Sequence, residues 1–344
     1  MNEKIIQVAK QVEHGGGRMF IVGGAVRDQI MGRKPVDIDF AIGGITEDKA
    51  KQIVEKCGGK DIKDVISNAP VFMATFGGES FEFAMFRIEI AGEQGNKSDF
   101  TFISNPSITR IQDQERRDFT IGSIMDDVLT GERFDPFGGE DDIRNKIIRH
   151  ISPMFSQSQE RGIRAASQSA RLDFDVAPET IEIIRDMKPN FHTIPAEQLW
   201  RHIKKMAEKA IRPSRFVDVL RETGWNEFFG IKATDSEMDQ EAPKGCSKVS
   251  WVISRMIIGM NEDEREKFFE TICIPNVERR EAIEFEKWDG KKPEAFVQGR
   301  DIISFVKPGK QVGVLLEAAF QAQIDGVIKN KEEGVQFIKD QISK

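Results

Sequence analysis

The sequence of 344 residues contains no tyrosine, only three cysteines and only four histidines. The absence of tyrosine excludes catalysis or base stacking by that side chain. Cys57, Cys246 and Cys273 are widely spaced and form no CxxC pair, which argues against a disulfide framework and against a cysteine zinc site. The histidines form no HExxH or similar metal-binding pattern. This usage is typical of a reducing compartment, so we expect a cytoplasmic protein.

Long hydrophobic runs are also missing. No apolar run approaches the roughly 18 residues that a membrane-spanning helix needs. The first 17 residues are charged and amphipathic and lack the apolar centre of a signal peptide. We therefore expect no membrane partner. The sequence contains neither the GxxxxGK[ST] phosphate loop nor the GxGxxG dinucleotide fingerprint, which excludes those two kinds of nucleotide site.

The formal net charge of -7 does not favour a nucleic-acid partner, but the charge is unevenly distributed. One basic segment, defined here as residues 197–216, contains six lysine or arginine residues and two glutamates. Such a segment can bind a polyanion locally, although a helix face that contacts only solvent fits the charge pattern equally well. The candidate RNA-binding residues are Lys204, Lys205, Lys209, Arg212 and Arg215.

The periodicity of the apolar residues changes near residue 150. Residues 1–140 mix short strand-like runs with helical ones, whereas from about residue 152 apolar residues recur at the three- and four-residue spacing of helices. We therefore predict an α+β fold in which a small mixed sheet forms a head domain, followed by an all-α neck, body and tail. The predicted domains are the head (1–150), a helical neck and body (151–232) and a helical C-terminal body and tail (249–344), with a polar linker or long loop at 233–248.

Two aspartates in the predicted strand VDIDFAI (36–42) are the first candidate site. Side chains alternate along a strand, so Asp37 and Asp39 share a face while Ile38 points into the core. Adjacent carboxylates repel each other unless a cation lies between them, and Mg²⁺ prefers such oxygen ligands together with substrate phosphates. Upstream, Gly23 and Gly24 end one strand and begin a helix, where backbone N–H groups can approach a phosphate.

Arg27, in the first turn of that helix, can add a charge-assisted contact to the same phosphate. Together, the glycines, the arginine and the aspartates predict a site for a triphosphate and a divalent metal ion. A bare DxD motif is more often surface decoration, but its position nine residues after GGxVRD favours the site.

This stretch resembles the head domain of the class II tRNA nucleotidyltransferase and bacterial poly(A) polymerase family, within the polymerase-β-like superfamily. Five further segments resemble that family in the same order, so that the likeness covers roughly residues 18–225. The segments are FEFAMFRIE (81–89), DQERRDFTIGSIMDD (113–127), FDPFGGEDDIRNKIIRHI (134–151), FSQSQERGIRAASQSARLDFDVAPET (155–180) and IPAEQLWRHIKKMA (194–207).

The resemblance implies that residues 1–150 form a nucleotidyltransferase head. Asp37 and Asp39 would be the catalytic residues and would hold two Mg²⁺ ions about 3.5–4 Å apart. Gly23, Gly24 and Arg27 would cradle the phosphates, and Asp28 would fix Arg27. Arg116 and Arg117 would add positive charge near the triphosphate or ribose, and Asp118 would orient one of them. Asp135 and Asp142 would build a turn rather than contact substrate.

The resemblance also implies how a base is chosen without a template. In the family, an Asp and an Arg one helical turn apart offer an acceptor and a donor to the incoming base. The matching residues here are Ser158 and Arg161, with Arg164 one turn further along. A serine is shorter and uncharged, so it should discriminate bases less sharply. The family's Arg-Phe and Asn-Ala pairs are likewise replaced, by Ser167-Gln168 and Gly122-Ser123.

Three functions remain open at this point. The first is a template-independent RNA nucleotidyltransferase that uses CTP and ATP to add CMP and AMP to tRNA 3′ ends. The second is poly(A) addition, or another terminal nucleotidyltransferase with altered base choice on a tRNA or other RNA 3′ end. The third is a catalytically weak RNA-binding relative, although the retained Asp37 and Asp39 pair argues against it.

Overall fold

A computed structural model describes residues 2–65, 69–92, 100–289, 294–306 and 309–342. The chain divides into two compact units, Met1–Glu286 and Lys287–Lys344. The finer boundaries at residues 150, 232 and 249 stay predictions. No helix in the part of the chain that the structure describes is long and apolar enough to cross a membrane.

The head is built on a seven-stranded mixed sheet with the strand order β3-β4-β5-β2-β1-β8-β9. β2 and β5 run parallel, and the other neighbouring strands of this sheet are antiparallel. The strands are β1 Arg18–Val22, β2 Asp39–Gly43, β3 Lys60–Asp64, β4 Val71–Phe76, β5 Glu79–Met85, β6 Ile88–Ile90, β7 Thr101–Ile103, β8 Met125–Asp127, β9 Arg133–Phe134, β10 Ile147–Ile148 and β11 Asp175–Val176. β6 pairs with β7, and β10 pairs with β11, in two small separate sheets.

The central strands of the large sheet are buried on both faces, as strand β1 shows. Its residues alternate between two hydrophobic clusters: Met19 and Ile21 join the main core, and Phe20 and Val22 join a smaller cluster on the other face. A strand that is buried on both faces reads as a continuous apolar run rather than as an alternating one. The helices of the head are α1 Glu3–His14, α2 Gly24–Ile30, α3 Glu47–Lys56, α4 Arg110–Glu115 and α5 Gly139–Asn145.

The remaining residues of the first unit are mainly helical, as predicted, and their core is continuous with that of the head. Helix α6 is central, since it packs against both α8 and α9. The helices are α6 Glu160–Leu172, α7 Pro178–Met187, α8 Ala196–Lys209, α9 Ser214–Thr223, α10 Asn226–Phe229, α11 Asp235–Met238, α12 Lys248–Met256, α13 Glu262–Ile272 and α14 Asn276–Trp288. The second unit contains α15 Gly299–Ile302, α16 Lys310–Ile324 and α17 Lys331–Ile342 around a core of its own.

The segment interpreted as a linker, residues 233–248, is partly ordered structure. Thr234 and Glu237 form a capping box that starts the short helix α11, and Ala233 and Met238 are buried in the main core. The sequence showed the polar residues and the Pro and Gly, but a capping box also consists of polar residues, so the short helix was missed.

Candidate active site

Three carboxylates lie where β2 begins. Asp39 is the first residue of β2, and the parallel register places it opposite Glu82 of β5. The predicted strand is shorter than expected, because β1 ends at Val22, the partner of Asp39, so Asp37 precedes the pairing. Asp37 and Asp39 are exposed, while Ile38 between them is half-buried against the main core. The two aspartates therefore lie outside the core, and because Asp37 precedes the strand, their shared strand face stays a prediction.

The pKa values show that these carboxylates interact. Although the side chain of Asp39 is accessible to solvent, the surrounding protein partly desolvates its carboxyl, which raises its pKa. The neighbouring charge of Asp37 raises the pKa further, whereas Arg117 and Lys205 act in the opposite direction. Burial also raises the pKa of Glu82, and Asp39 adds to the effect. Each ionised group thus disfavours ionisation of the next, which is the arrangement that a bound cation relieves.

Sequence reasoning missed Glu82, although an acidic residue in the apolar strand FEFAMF was a visible signal. Which residue of β5 faces Asp39 depends on strand register, which the sequence does not show. No group of three or more His, Cys, Asp or Glu side chains is arranged to enclose a metal ion within the residues described. Asp37 and Asp39 could therefore supply only part of a metal ion's ligands.

The glycine turn lies directly beside Asp39. Gly23 follows Val22 and has φ 69° and ψ -133°, a backbone conformation that is essentially restricted to glycine. A Cβ at Gly23 would meet no atom within 4 Å, so conformation and not crowding requires the glycine. Helix α2 starts at Gly24, and Arg27 donates two hydrogen bonds to Asp28 Oδ1, at 2.9 Å from Nε and 2.6 Å from Nη2. Asp28 thus contacts Arg27, the residue that it was expected to fix.

Cationic side chains from α6 and α8 face the same place. Burial lowers the pKa of Arg171, and the nearby charges of Arg27 and Arg164 lower it further. Burial also lowers the pKa of Lys205, with contributions from Arg171 and Arg164, while Asp37 acts in the opposite direction. Lys205 was predicted to bind RNA. Its charge interacts with the charges of Asp37 and Asp39, so it lies near the carboxylates.

Arg116 and Arg117 both pair with Asp113, a buried residue that sequence reasoning did not select. Arg116 contacts Asp113 at 2.8 Å and Glu89 at 2.7 Å, and Arg117 contacts Asp113 at 3.0 Å. Burial alone would raise the pKa of Asp113, but the two arginines hold it below its ordinary value. Arg116 is buried among these partners, whereas Arg117 also influences Asp39.

Asp118 has a different partner from the one expected. It accepts a hydrogen bond at 2.6 Å from Arg164 Nε, and Arg164 Nη2 lies 2.5 Å from the same oxygen. From the sequence we expected Asp118 to orient Arg116 or Arg117. In the structure both arginines pair with Asp113. The pair instead joins the head to α6, because Asp118 precedes the 3₁₀ turn Thr120–Gly122 and Arg164 lies on the helix.

The residues predicted to read the base do not share one helical turn. Ser158 precedes α6 in an extended conformation, with φ -130° and ψ 114°, so the expected helix face does not include it. Its hydroxyl is buried and has no hydrogen-bond partner among the residues described. Arg161 lies within α6 and donates to the backbone carbonyls of Met154 and Arg116, each at 2.7 Å. Helix α6 therefore starts later than the resemblance to the family implied.

Other residues of the basic segment contact acidic neighbours. Lys204 lies 3.7 Å from Glu278, and Arg212 lies 3.4 Å from Asp239. Arg215 pairs with both Asp173 and Asp175. Lys209 is exposed near the end of α8. The five candidate RNA-binding residues therefore differ in their surroundings and do not form one uniform surface.

Residues 19–149 match the family described as Poly A polymerase head domain. The chain is also 34% identical over 212 residues to the Multifunctional CCA protein of Xanthomonas campestris pv. campestris (strain B100), which covers 60% of this chain and 49% of the relative. The corresponding protein of Pseudomonas fluorescens is 35% identical over the same length. The chain thus spans about half the length of the curated relatives it matches.

The fold is that of CCA-adding enzymes. The Bacillus stearothermophilus CCA-adding enzyme in complex with CTP aligns with a TM-score of 0.63 and 21% identity, over 100% of this chain and 99% of that one. A CCA-adding enzyme with ATP aligns with a TM-score of 0.66 and 16% identity, over 100% and 95% of the two chains. The predicted α+β fold and the resemblance to the class II tRNA nucleotidyltransferase and poly(A) polymerase family are confirmed.

Proposed function

We propose that the protein is a template-independent RNA nucleotidyltransferase that adds CMP and AMP, from CTP and ATP, to the 3′ end of tRNA. The observation that supports this most directly is the pairing of Asp39 with Glu82 beside the Gly23 turn. This arrangement puts acidic groups next to a backbone turn suited to phosphate. Relatives named as CCA proteins, and similar folds described with CTP and ATP, support the choice of substrates.

Asp37 and Asp39, with Glu82 beside Asp39, fit part of the ligand set of Mg²⁺, because carboxylate oxygens are the ligands that this ion prefers and because the repulsion among these groups calls for a counter-charge. An ion held by one or two carboxylates keeps positions for water and substrate phosphates. When bound, two such ions would sharpen the RNA 3′-hydroxyl as a nucleophile and neutralise charge on the triphosphate. Glu82 is our addition to the two aspartates that the motif identified.

The remaining groups would bind and orient the nucleotide. Gly23 and Gly24 lead into α2, where free backbone N–H groups point away from the helix. Arg27, Arg171 and Lys205 add positive charge, and Arg171 Nε is buried without a hydrogen-bond partner among the described residues. A triphosphate would supply the missing acceptors. The RNA 3′-hydroxyl would then attack the α-phosphate in line with departing pyrophosphate, so one P–O bond forms as another breaks.

One observation favours the second candidate, a terminal nucleotidyltransferase with altered base choice such as a poly(A) polymerase. Ser158 stands where the resemblance implies an acidic base-reading residue, and its hydroxyl is buried without a hydrogen-bond partner among the described residues. The proposal of a weak RNA-binding relative has less support. Adjacent carboxylates with raised pKa values disfavour folding at neutral pH, and a protein without catalytic activity would gain nothing from them.

The test is nucleotide addition to a tRNA transcript that lacks its 3′ end, with Mg²⁺ or Mn²⁺ and with each NTP alone and in pairs. Sequencing the 3′ ends distinguishes CCA addition from runs of A. We expect Asp37→Ala to abolish addition while tRNA affinity stays within a few-fold. Asp48→Ala, an exposed carboxylate in the first turn of α3, is the matched control and should retain activity. If the unaltered protein adds no nucleotide, the proposed function is wrong.

A further inference from the structure

Buried polar atoms cluster where helix α6 begins. Ser158 Oγ, Gln159 Oε1 and His202 Nε2 are buried and have no hydrogen-bond partner among the described residues. Most buried polar atoms in folded proteins are hydrogen bonded, so such a group calls for a functional explanation. Ser158 is the position at which the resemblance implies base reading, and none of the three residues has a part in the metal and phosphate chemistry proposed above.

One contact joins this cluster across two helices. His202 Nε2 of α8 lies 3.5 Å from Glu160 Oε2 of α6, and their side chains are only 9% and 3% exposed. Ser167 Oγ, two turns along α6, donates to the backbone carbonyl of His202 at 3.4 Å. A buried carboxylate is costly unless it has a polar partner. The buried Glu160–His202 contact therefore links α6 to α8 specifically.

The opposite side of α6 is held by close packing. A Cβ at Gly162 would lie 2.4 Å from the ring of Trp225, so the helix backbone is seated against that ring. Successive residues of a helix project about 100° apart at 3.6 residues per turn. Gly162 and Glu160 therefore fix the rotation of α6 about its axis from two directions. That rotation decides where Arg161 and Arg164 point.

The two arginines themselves also hold this end of the helix, since Arg161 donates to the carbonyls of Met154 and Arg116 and Arg164 pairs with Asp118. The N-cap residue Gln159 makes no side-chain capping hydrogen bond, and Ser158 makes no side-chain bond within the described residues. Arg161 follows Glu160 directly, and Arg164 lies one turn beyond it on the same side. A shift of Glu160 would therefore move the two residues that we expect to contact the nucleotide.

We propose that Glu160 and His202 are positioning residues that set base selectivity by fixing the rotation of α6. The proposal rests on the proposed function. With an uncharged residue at Ser158, discrimination depends on where Arg161 and Arg164 place their donors. Neither Glu160 nor His202 contacts the base, because both are buried in the helix interface.

The experiment measures kcat/KM for each of the four NTPs on tRNA lacking its 3′ end. Glu160→Met keeps an unbranched side chain of similar length but removes the contact with His202. We expect the preference for CTP over UTP to fall about tenfold, the size of effect that a displaced hydrogen-bonding group produces in a substrate pocket. Thermal stability should fall, because the variant removes one partner of a buried polar contact and leaves the His202 ring buried without it.

Three further measurements complete the test. Glu208→Met, an exposed glutamate of α8, is the matched control and should leave the preference unchanged. His202→Asn breaks the same contact from the other helix and must reproduce the loss of preference for CTP over UTP. This second variant keeps the inference testable if Glu160→Met does not fold. Glu160→Asp keeps the charge and should restore part of the preference.

Equal losses of kcat/KM for all four NTPs, or an unchanged preference, would show a merely structural contact and overturn the inference. An unaltered protein that adds nucleotides without preference would also overturn it. An unaltered protein that adds none would instead contradict the proposed function.

Discussion

Asp39 and Glu82 carry the main electrostatic feature of the site at the scale of single residues. They lie opposite each other on parallel strands, and the pKa of each carboxyl is raised by burial first and by a neighbouring carboxylate second. Without a cation, the site is therefore a source of instability at neutral pH. The same groups that we expect to bind metal ions should make the metal-free protein less stable than its uncharged variants.

Glu82→Gln should raise the melting temperature of the metal-free protein at pH 7 and abolish most nucleotide addition. A raised carboxyl pKa in the fold gives stability below the ordinary pKa of glutamate that is lost as the pH rises through the folded pKa. The variant mimics the protonated state, so its advantage should shrink as the pH falls toward 4. Thermal melts in EDTA over this range check the expectation.

The matched control for that variant is Glu79→Gln, an exposed glutamate at the start of β5, which should change neither property. Added Mg²⁺ should raise the melting temperature of the unaltered protein more than that of Glu82→Gln. An equal rise in both proteins would remove Glu82 from the proposed metal site.

The sequence made some of these residues visible and concealed others for a physical reason. Asp37, Asp39 and Gly23 stand close together in the chain, so their spacing was enough to predict a common site. Glu82 meets Asp39 only through strand register, which no local pattern encodes. Asp113 lies three and four residues before Arg116 and Arg117, a helical spacing that the sequence did show but that was not selected.

Helix α6 is the feature that matters most at the scale of elements. The family resemblance implied a helix that contains both Ser158 and Arg161, but α6 begins after Ser158, because the 3₁₀ turn Pro153–Gln157 precedes it. Local patterns locate the middle of a helix better than its ends. The position of α6 depends on tertiary contacts, chiefly Gly162 against Trp225, whose indole Nε1 donates to the carbonyl of Ile184.

Gly162→Ala should therefore destabilise the first unit, although alanine is the better helix former. The new methyl group would lie 2.4 Å from the Trp225 ring, and overpacking of this kind costs about 1–3 kcal/mol. Gly313→Ala in α16 is the contrasting variant, because a Cβ there meets no atom within 4 Å and alanine should stabilise that helix by about 1 kcal/mol. Chemical denaturation followed by circular dichroism measures both, and a neutral Gly162→Ala would show that α6 can move away from Trp225.

At the scale of the whole molecule, an acidic chain must attract a polyanion through a local surface. The net charge is -7, and the basic segment supplies the strongest local excess of positive charge that the sequence shows. Arg212 and Arg215 are already engaged by carboxylates, and the charge of Lys205 interacts with that of Asp37. Lys204, 3.7 Å from its nearest acid, and exposed Lys209 are therefore the better candidates for RNA phosphate contacts.

Lys204→Ala combined with Lys209→Ala should weaken tRNA binding and flatten its salt dependence. Each lost phosphate contact lowers the slope of log affinity against log salt by about 0.7–0.9, so two lost contacts should lower it by about 1.5.

Lys205→Ala should instead raise the KM for NTPs and leave that slope unchanged, since its charge acts on the nucleotide. Lys60→Ala with Lys63→Ala, on the edge strand β3, removes the same charge from the head and is the control. If the salt dependence of tRNA binding has the same slope in the two double variants and in Lys205→Ala, α8 does not hold the RNA. The basic segment would then be a face that contacts only solvent.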